Sequence, residues 1–317
     1  MMSFKTFLKL TEIQTKIASL FPFLIGLLFV SYRFGTINKL NTLVFFSSML
    51  IFDLTTTAIN NYMDYRKATD NHDFDYRKER NVIGQEELTE KSVLIVILIM
   101  LSIATGLGLY LVHLTNILVL AIGAICFFIG IFYTFGPIPL SRLPLGEFFS
   151  GITMGFGIVF LIFYVNSYNL GIIDISWVRP LVAININLIE IGSIILVSLP
   201  SVFTIANLML ANNICDFEED VRNHRFTLPY YIGQVKAVKL FSFLYSAAYF
   251  AIIVAVILGV YHPIMFLSLI SLIPVRKNTQ IFRAKQKKSE TFVIAVKNLI
   301  LINGSIVLFL CISHLLR

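Results

Sequence analysis

Two stretches of this 317-residue chain set carboxamides and carboxylates at helical spacing where an apolar run ends. The clearer one reads Asn212-Asn213-Ile214-Cys215-Asp216-Phe217-Glu218-Glu219-Asp220. Asn212, Asp216 and Asp220 recur every four residues, which stacks them on one face of a helix. Two carboxylates and a carboxamide gathered there are hard oxygen donors, the kind that hold Mg2+ beside a substrate's phosphates. Acids merely solvated at a helix C-terminus would oppose its dipole. The other stretch runs from Asp53 to Asp64, and in it Asp53, Thr57, Asn60 and Asp64 share one helical stripe. Asp70, Asp73 and Asp75 follow in a charged loop. Asp53 lies well inside an apolar run. An ionisable side chain there marks function by default, and a structural carboxyl held by hydrogen bonds is the other reading. Two such clusters facing one cavity suggest paired Mg2+ ions clamping a diphosphate, with Arg222, Arg225, Lys67, Arg77, Lys78 and Arg80 balancing its charge.

The elements that must position these residues are apolar runs near 20 residues, the length of membrane spans. Nine are expected, at about 14–34, 41–63, 92–113, 116–135, 148–168, 186–214, 238–260, 263–275 and 291–315. Pro200 is expected to kink the sixth. The chain is 57% hydrophobic and only 14% charged, against about 25% charged in ordinary globular domains. That excludes most soluble classes and intrinsic disorder. With the N-terminus placed in the cytoplasm, 20 of the 25 Lys and Arg fall on the cytoplasmic side, most of them in the loops 65–91, 217–239 and 276–290. That asymmetry is the positive-inside pattern and puts the C-terminus outside. The net charge of +7 is therefore read as topology, not as a nucleic-acid surface. Asn60-Asn61-Tyr62-Met63-Asp64 is echoed by Asn212-Asn213-Ile214-Cys215-Asp216, each closing a span and opening a cytoplasmic loop. The expected fold is an all-α membrane bundle of nine helices in two pseudo-repeated halves, with a site between them.

Other chemistries find no support. P-loop, GxGxxG and HExxH motifs are absent, the five histidines are scattered, and Cys126, Cys215 and Cys311 form no CxxC pair.

The segments Asn60-Asn-Tyr-Met-Asp64-x5-Asp70 and Asn212-Asn-Ile-Cys-Asp216-x3-Asp220-x4-Arg225-Phe-Thr-Leu228 resemble the two aspartate-rich motifs of the UbiA superfamily of intramembrane aromatic prenyltransferases. Tyr133-Thr-Phe-Gly-Pro-Ile-Pro-Leu-x4-Leu-Gly-Glu147 is similar to a stretch of its menaquinone branch, the 1,4-dihydroxy-2-naphthoate polyprenyltransferases. The likeness spans most of the chain. It departs at Asn61, where the family usually has Asp, at Ala68, where the broader pattern has an acid, and at Phe226, where a basic residue is usual.

The resemblance implies one integral-membrane prenyltransferase domain over 1–317, with motif loops at about 65–91 and 217–237. It implies Mg2+ held by Asn60, Asp64, Asp70, Asn212, Asp216 and Asp220, with Asp64, Asp216 and Asp220 catalytic. Arg225, Lys67, Tyr62, Tyr133, Asn213 and Arg142 are the implied substrate-binding residues. The implied reaction moves a polyprenyl group from its diphosphate to 1,4-dihydroxy-2-naphthoate with loss of the acceptor's carboxylate, giving a demethylmenaquinone precursor at the cytoplasmic side of the cell membrane. Another phenolic acceptor such as 4-hydroxybenzoate fits the same residues. A secondary transporter is the rival of another class, but its polar residues would sit at midplane rather than at span ends.

Overall fold

The computed structural model describes residues 2–67, 81–136, 139–178 and 181–316. Ser3 caps a short helix α1 (Phe4–Leu10) by accepting from the Thr6 amide. A 3-10 turn, Ile13–Lys16, runs directly into α2 (Ile17–Phe34), which stops at Gly35 with φ 72°, a conformation open to glycine at no steric cost. α3 (Lys39–Lys67) carries the first acidic stretch at its C-terminal end. Side-chain caps then start three helices: Asn81 before α4 (Val82–Gln85), Thr89 before α5 (Glu90–Leu114) and Asn116 before α6 (Ile117–Phe132). α7 (Gly146–Ser167) contains a π-helical segment, Gly151–Gly157.

Next comes an antiparallel hairpin, β1 (Ile173–Val178) with β2 (Leu181–Ile186), in which Ile173 pairs with Ile186 and Ile175 with Ile184. The protein is mostly helical, and this hairpin corrects the all-α expectation. Its cause is the period-two alternation Ile173-Asp174-Ile175-Ser176, a strand signal too short to register beside the spans. Asn187 then caps α8 (Leu188–Cys215), which carries the second acidic stretch and continues through Pro200. α9 (Phe217–Arg222), α10 (Leu228–Ile232) and α11 (Gln234–Ile257) follow. A 3-10 segment, Pro263–Ser271, leads into α12 (Leu272–Ala284), and α13 (Lys288–Leu315) closes the fold.

Among the described residues, seven helices are long and apolar enough to cross a membrane: Ile13–Phe34, α3, α5, α7, α8, α11 and α13. The runs expected at 116–135 and 263–275 form the shorter α6 and the 3-10 segment before α12. Large apolar side chains also cover the outside. Leu94, Leu98, Ile99 and Ile103 on α5 are exposed. A chain apolar on both its inner and outer faces is a multi-pass membrane protein.

The main core joins α2, α7, α8, α11 and α13 around Phe29, Phe163, Phe241 and Tyr261. α7 and α8 meet at close range. A Cβ on Gly155 would lie 2.5 Å from the Val202 backbone, and one on Gly151 would lie 2.9 Å from the Val202 carbonyl. A smaller cluster of Leu10, Ala58, Met63, Ile83 and Ile97 packs α1 and α4 against the end of α3.

Candidate functional site

Both acidic stretches end long apolar helices, which delivers their polar residues to the bundle's rim without unwinding the buried backbone. The turn after α8 keeps the helical spacing: the Asp216 amide donates to the Asn212 carbonyl at 3.0 Å and the Asp220 amide to the Asp216 carbonyl at 2.8 Å. Asn212, Asp216 and Asp220 therefore fall in one column, as their spacing predicts.

Each member has a distinct environment. Lys288, at the start of α13, donates its ammonium to both Asn212 Oδ1 and Asp216 Oδ2. Asp220 is only 4% exposed. Its Oδ1 lies 3.4 Å from Arg225 Nε, and the Arg225 amide donates to the Asp220 carbonyl at 2.8 Å. Burial pushes the Asp220 carboxyl up to about 6, with Arg225 and Lys288 pulling it down and Asp216 and Glu219 pushing it further up. Asp220 Oδ2 is buried with no hydrogen-bond partner among the described residues.

From the first stretch, Asn60 accepts a hydrogen bond from Thr134 just beyond α6. Asp64 stands within electrostatic range of Arg225, Arg142 and Lys67. Arg142 in turn senses Arg225, Asp64 and Asp220, and partial burial beside Arg225 lowers its pKa. Arg142 thus joins the two stretches, and Arg225 reaches Asp64 from the second. Arg225 pairs with Asp220, Asp64 and Arg142 lie within electrostatic range of that pair, and Lys67 is exposed beside Asp64.

Two expected residues face elsewhere. Tyr62 packs into the smaller cluster, with Arg66 5.8 Å from its ring. Asn213 is 1% exposed and donates to Glu147 Oε1 at 2.8 Å. Asn61, in place of the usual acid, donates to the Leu10 carbonyl at 2.9 Å and so anchors α1. Asp70 lies outside the described residues, as do Asp73, Asp75, Arg77, Lys78, Arg80 and Ala68.

Among the described residues no group of three or more His, Cys, Asp or Glu side chains converges as a complete metal site. The donors present nevertheless fit a hard cation. Asn212 and Asp216 already share one, the Lys288 ammonium, and Asp220 Oδ2 is an orphaned buried acceptor.

Beside this site a cavity of about 680 Å³ runs between α3, α5, α6 and α7. Its wall is mainly apolar and aromatic, and includes Phe52 stacked on Phe127 with centroids 3.8 Å apart. Asn60 and Tyr133 line it as well. Asp53, on the same stripe, faces it as an ion pair with Lys16.

Sequence reasoning missed Lys288, Glu147, Thr134 and Lys16 as partners. The one signal for Lys288 was its place in the basic 276–290 segment, and for Glu147 its place in the stretch that begins at Tyr133.

Residues 19–297 match the profile of the UbiA prenyltransferase family. The 1,4-dihydroxy-2-naphthoate octaprenyltransferase of Bacillus subtilis (strain 168) is 28% identical over 267 residues, covering 83% of this chain and 77% of that protein. A structure of digeranylgeranylglyceryl phosphate synthase superposes with a TM-score of 0.66 at 18% identity, covering 99% of each chain. A UbiA homologue from Archaeoglobus fulgidus, bound to DMAPP and Mg2+, does so with a TM-score of 0.62 at 13% identity, covering 95% of this chain and 99% of that one. At these identities the two structures share the fold.

Proposed function

The chain belongs to the UbiA prenyltransferase family, and from that premise we propose that it transfers a polyprenyl group from polyprenyl diphosphate to 1,4-dihydroxy-2-naphthoate, giving a demethylmenaquinone precursor. The observation that carries this reading is Arg142. It stands within electrostatic range of Asp64 from one stretch and Asp220 from the other, with Arg225 beside it. Two acids and two guanidinium groups are thus electrostatically coupled, a combination suited to binding a diphosphate together with divalent cations. The acceptor follows from the resemblance and from the name of the Bacillus subtilis relative.

Asn60, Asp64, Asp70, Asn212, Asp216 and Asp220 would hold Mg2+, which supplies the positive charge that makes diphosphate a competent leaving group. Arg142, Arg225 and Lys67 bind and orient the diphosphate. The apolar cavity takes the prenyl tail and keeps water from the allylic carbon as its C–O bond ionises. Tyr133 lines the cavity wall and would offer its aromatic ring to the developing positive charge. Tyr62 and Asn213 act by positioning, Tyr62 by packing the end of α3 and Asn213 by tying α8 to Glu147. The aromatic acceptor then attacks through the ring carbon that bears its carboxylate, and the carboxylate leaves as carbon dioxide.

The proposed setting is one domain of nine spans in two pseudo-repeated halves in the cell membrane, with the N-terminus and the site on the cytoplasmic side and the C-terminus outside. Two observations favour it. Arg142 follows α6 yet reaches Asp64 and Asp220, so α6 returns the chain to the end of the bundle where α3 finishes. Lys288, after α12, likewise reaches the end of α8.

The test is purified protein in detergent with a polyprenyl diphosphate, 1,4-dihydroxy-2-naphthoate and Mg2+, read by mass spectrometry beside an EDTA control. Prenylated naphthoquinol, detected as such or as the quinone that air oxidation makes of it, is the expected result, and it should disappear with EDTA. Product with 4-hydroxybenzoate instead would reassign the acceptor, and no transfer to any phenol would overturn the reading.

A further inference from the structure

The ion pair at Asp53 has no task in the diphosphate chemistry. Lys16 and Asp53 are the charged side chains in the cavity wall among the described residues. Lys16 uses all three ammonium hydrogens on the protein. It donates to Asp53 Oδ1 at 3.0 Å, to the Asp53 carbonyl at 3.1 Å and to Thr57 Oγ1. Ser19 Oγ donates to Asp53 Oδ2 at 2.6 Å. Each carboxylate oxygen thus accepts one hydrogen bond and retains a free lone pair. The Asp53 side chain is 15% exposed, against 7% for Lys16. What this cluster offers the cavity is hydrogen-bond acceptance by an ionised carboxylate that is already oriented.

A charge pair desolvated in an apolar wall is often no more stable than apolar side chains of the same volume, so folding alone does not account for it. Its location does. Asp53, Thr57 and Asn60 lie on one stripe of α3, and seven residues at the helical rise place Asp53 about 10 Å deeper than Asn60. A ring system of one or two fused rings fits between that depth and the diphosphate end.

We propose that Asp53 is the residue that recognises the aromatic acceptor, accepting a hydrogen bond from a ring hydroxyl, and that Lys16 and Ser19 are positioning residues that hold its carboxylate toward the cavity. The ligand class is a hydroxylated arene. A hydroxyl bonded to a carboxylate also donates more electron density into its ring, which favours attack by carbon. The inference rests on the prenyl-transfer reading for the identity of the ring, and on the geometry for the existence of the subsite.

The experiment is equilibrium binding without turnover, using purified full-length chain and two probes, 1,4-dihydroxy-2-naphthoate and 1,4-dimethoxy-2-naphthoate. Wild-type protein is expected to bind the dihydroxy ring about tenfold or more tightly than the dimethoxy ring, the scale of one hydrogen bond to a charged group. The double variant Lys16→Met/Asp53→Leu, which removes both charges together, is expected to bind the two rings alike. Its Kd for a polyprenyl diphosphate with Mg2+ should stay that of wild type, which a general loss of structure would not leave in place. Equal binding of the two rings by wild-type protein overturns the subsite, and that comparison needs no variant to fold. Undiminished discrimination by the double variant overturns it too. A wild-type chain that discriminates the rings but transfers no prenyl group to any phenol upholds the subsite and overturns the prenyl-transfer reading.

Discussion

At the scale of single residues, the second acidic column concentrates the chemistry. Asp216 shares Lys288 with Asn212, so its carboxylate is already the partner of a cation. Asp216→Asn keeps the shape and removes that charge, and turnover should fall about 100-fold or more, the scale of losing one preorganised electrostatic group. Rates of prenylated product at saturating substrate measure this, and near-normal turnover would remove Asp216 from the metal-binding role. Asp220 gives a pH signature. Its carboxyl is held at about 6, chiefly by burial, above the ordinary 3.8. The folded chain therefore holds this proton more tightly than the unfolded chain does. The stability it contributes is complete below pH 3.8 and is lost as pH rises through about 6. Binding of Mg2+ and diphosphate needs the ionised form, so donor affinity should weaken as pH drops through about 6. A plot of donor Kd against pH should show a steeper inflection in wild-type protein than in Asp220→Asn, which keeps only the ionisation of the diphosphate itself.

At the scale of elements, the contact of α7 with α8 sets the site, because it brings Glu147 onto Asn213. That contact needs bare backbone at Gly155, where a Cβ would lie 2.5 Å from Val202 backbone atoms that cannot move alone. Gly155→Val should therefore destabilise the protein by about 1–3 kcal/mol or more, the usual cost of overpacking. Gly123 on α6 supplies the control, since a Cβ there meets nothing within 4 Å. Thermal unfolding in detergent should show a lowered midpoint for Gly155→Val and little change for Gly123→Val. The caps at Asn81, Thr89, Asn116 and Asn187 are local devices, each legible from a few neighbouring residues once the flanking spans are known, whereas the alternation behind the hairpin β1–β2 is too short to be read beside those spans.

At the scale of the whole molecule, the charge asymmetry of the loops makes a topological prediction. On the nine-span reading, in which 20 of 25 basic residues are assigned to one side, a reporter active only outside the cytoplasm should be active when fused after Leu315 and silent when fused after Ala284. Activity at Ala284 would reverse the placement of α12 and α13 and of the site with them.

Composition and spacing by themselves determined that this chain spans a membrane and that acidic residues at helical spacing close two of its helices, and they raised the expectation of phosphate and hard-cation chemistry there. These are local properties, since a twenty-residue apolar run and a four-residue repeat need no distant partner to be read. Only the tertiary structure decided who meets whom. Asp53 finds Lys16 37 residues away, Asn213 finds Glu147 66 away, and Asp216 finds Lys288 72 away. Tyr62 and Asn213 sit in recognisable motifs, yet packing turns the first toward α1 and α4 and the second into the α7–α8 interface. Helical periodicity assigns a residue to a face. Which neighbour covers that face depends on helix packing across the bundle, and no local pattern encodes it.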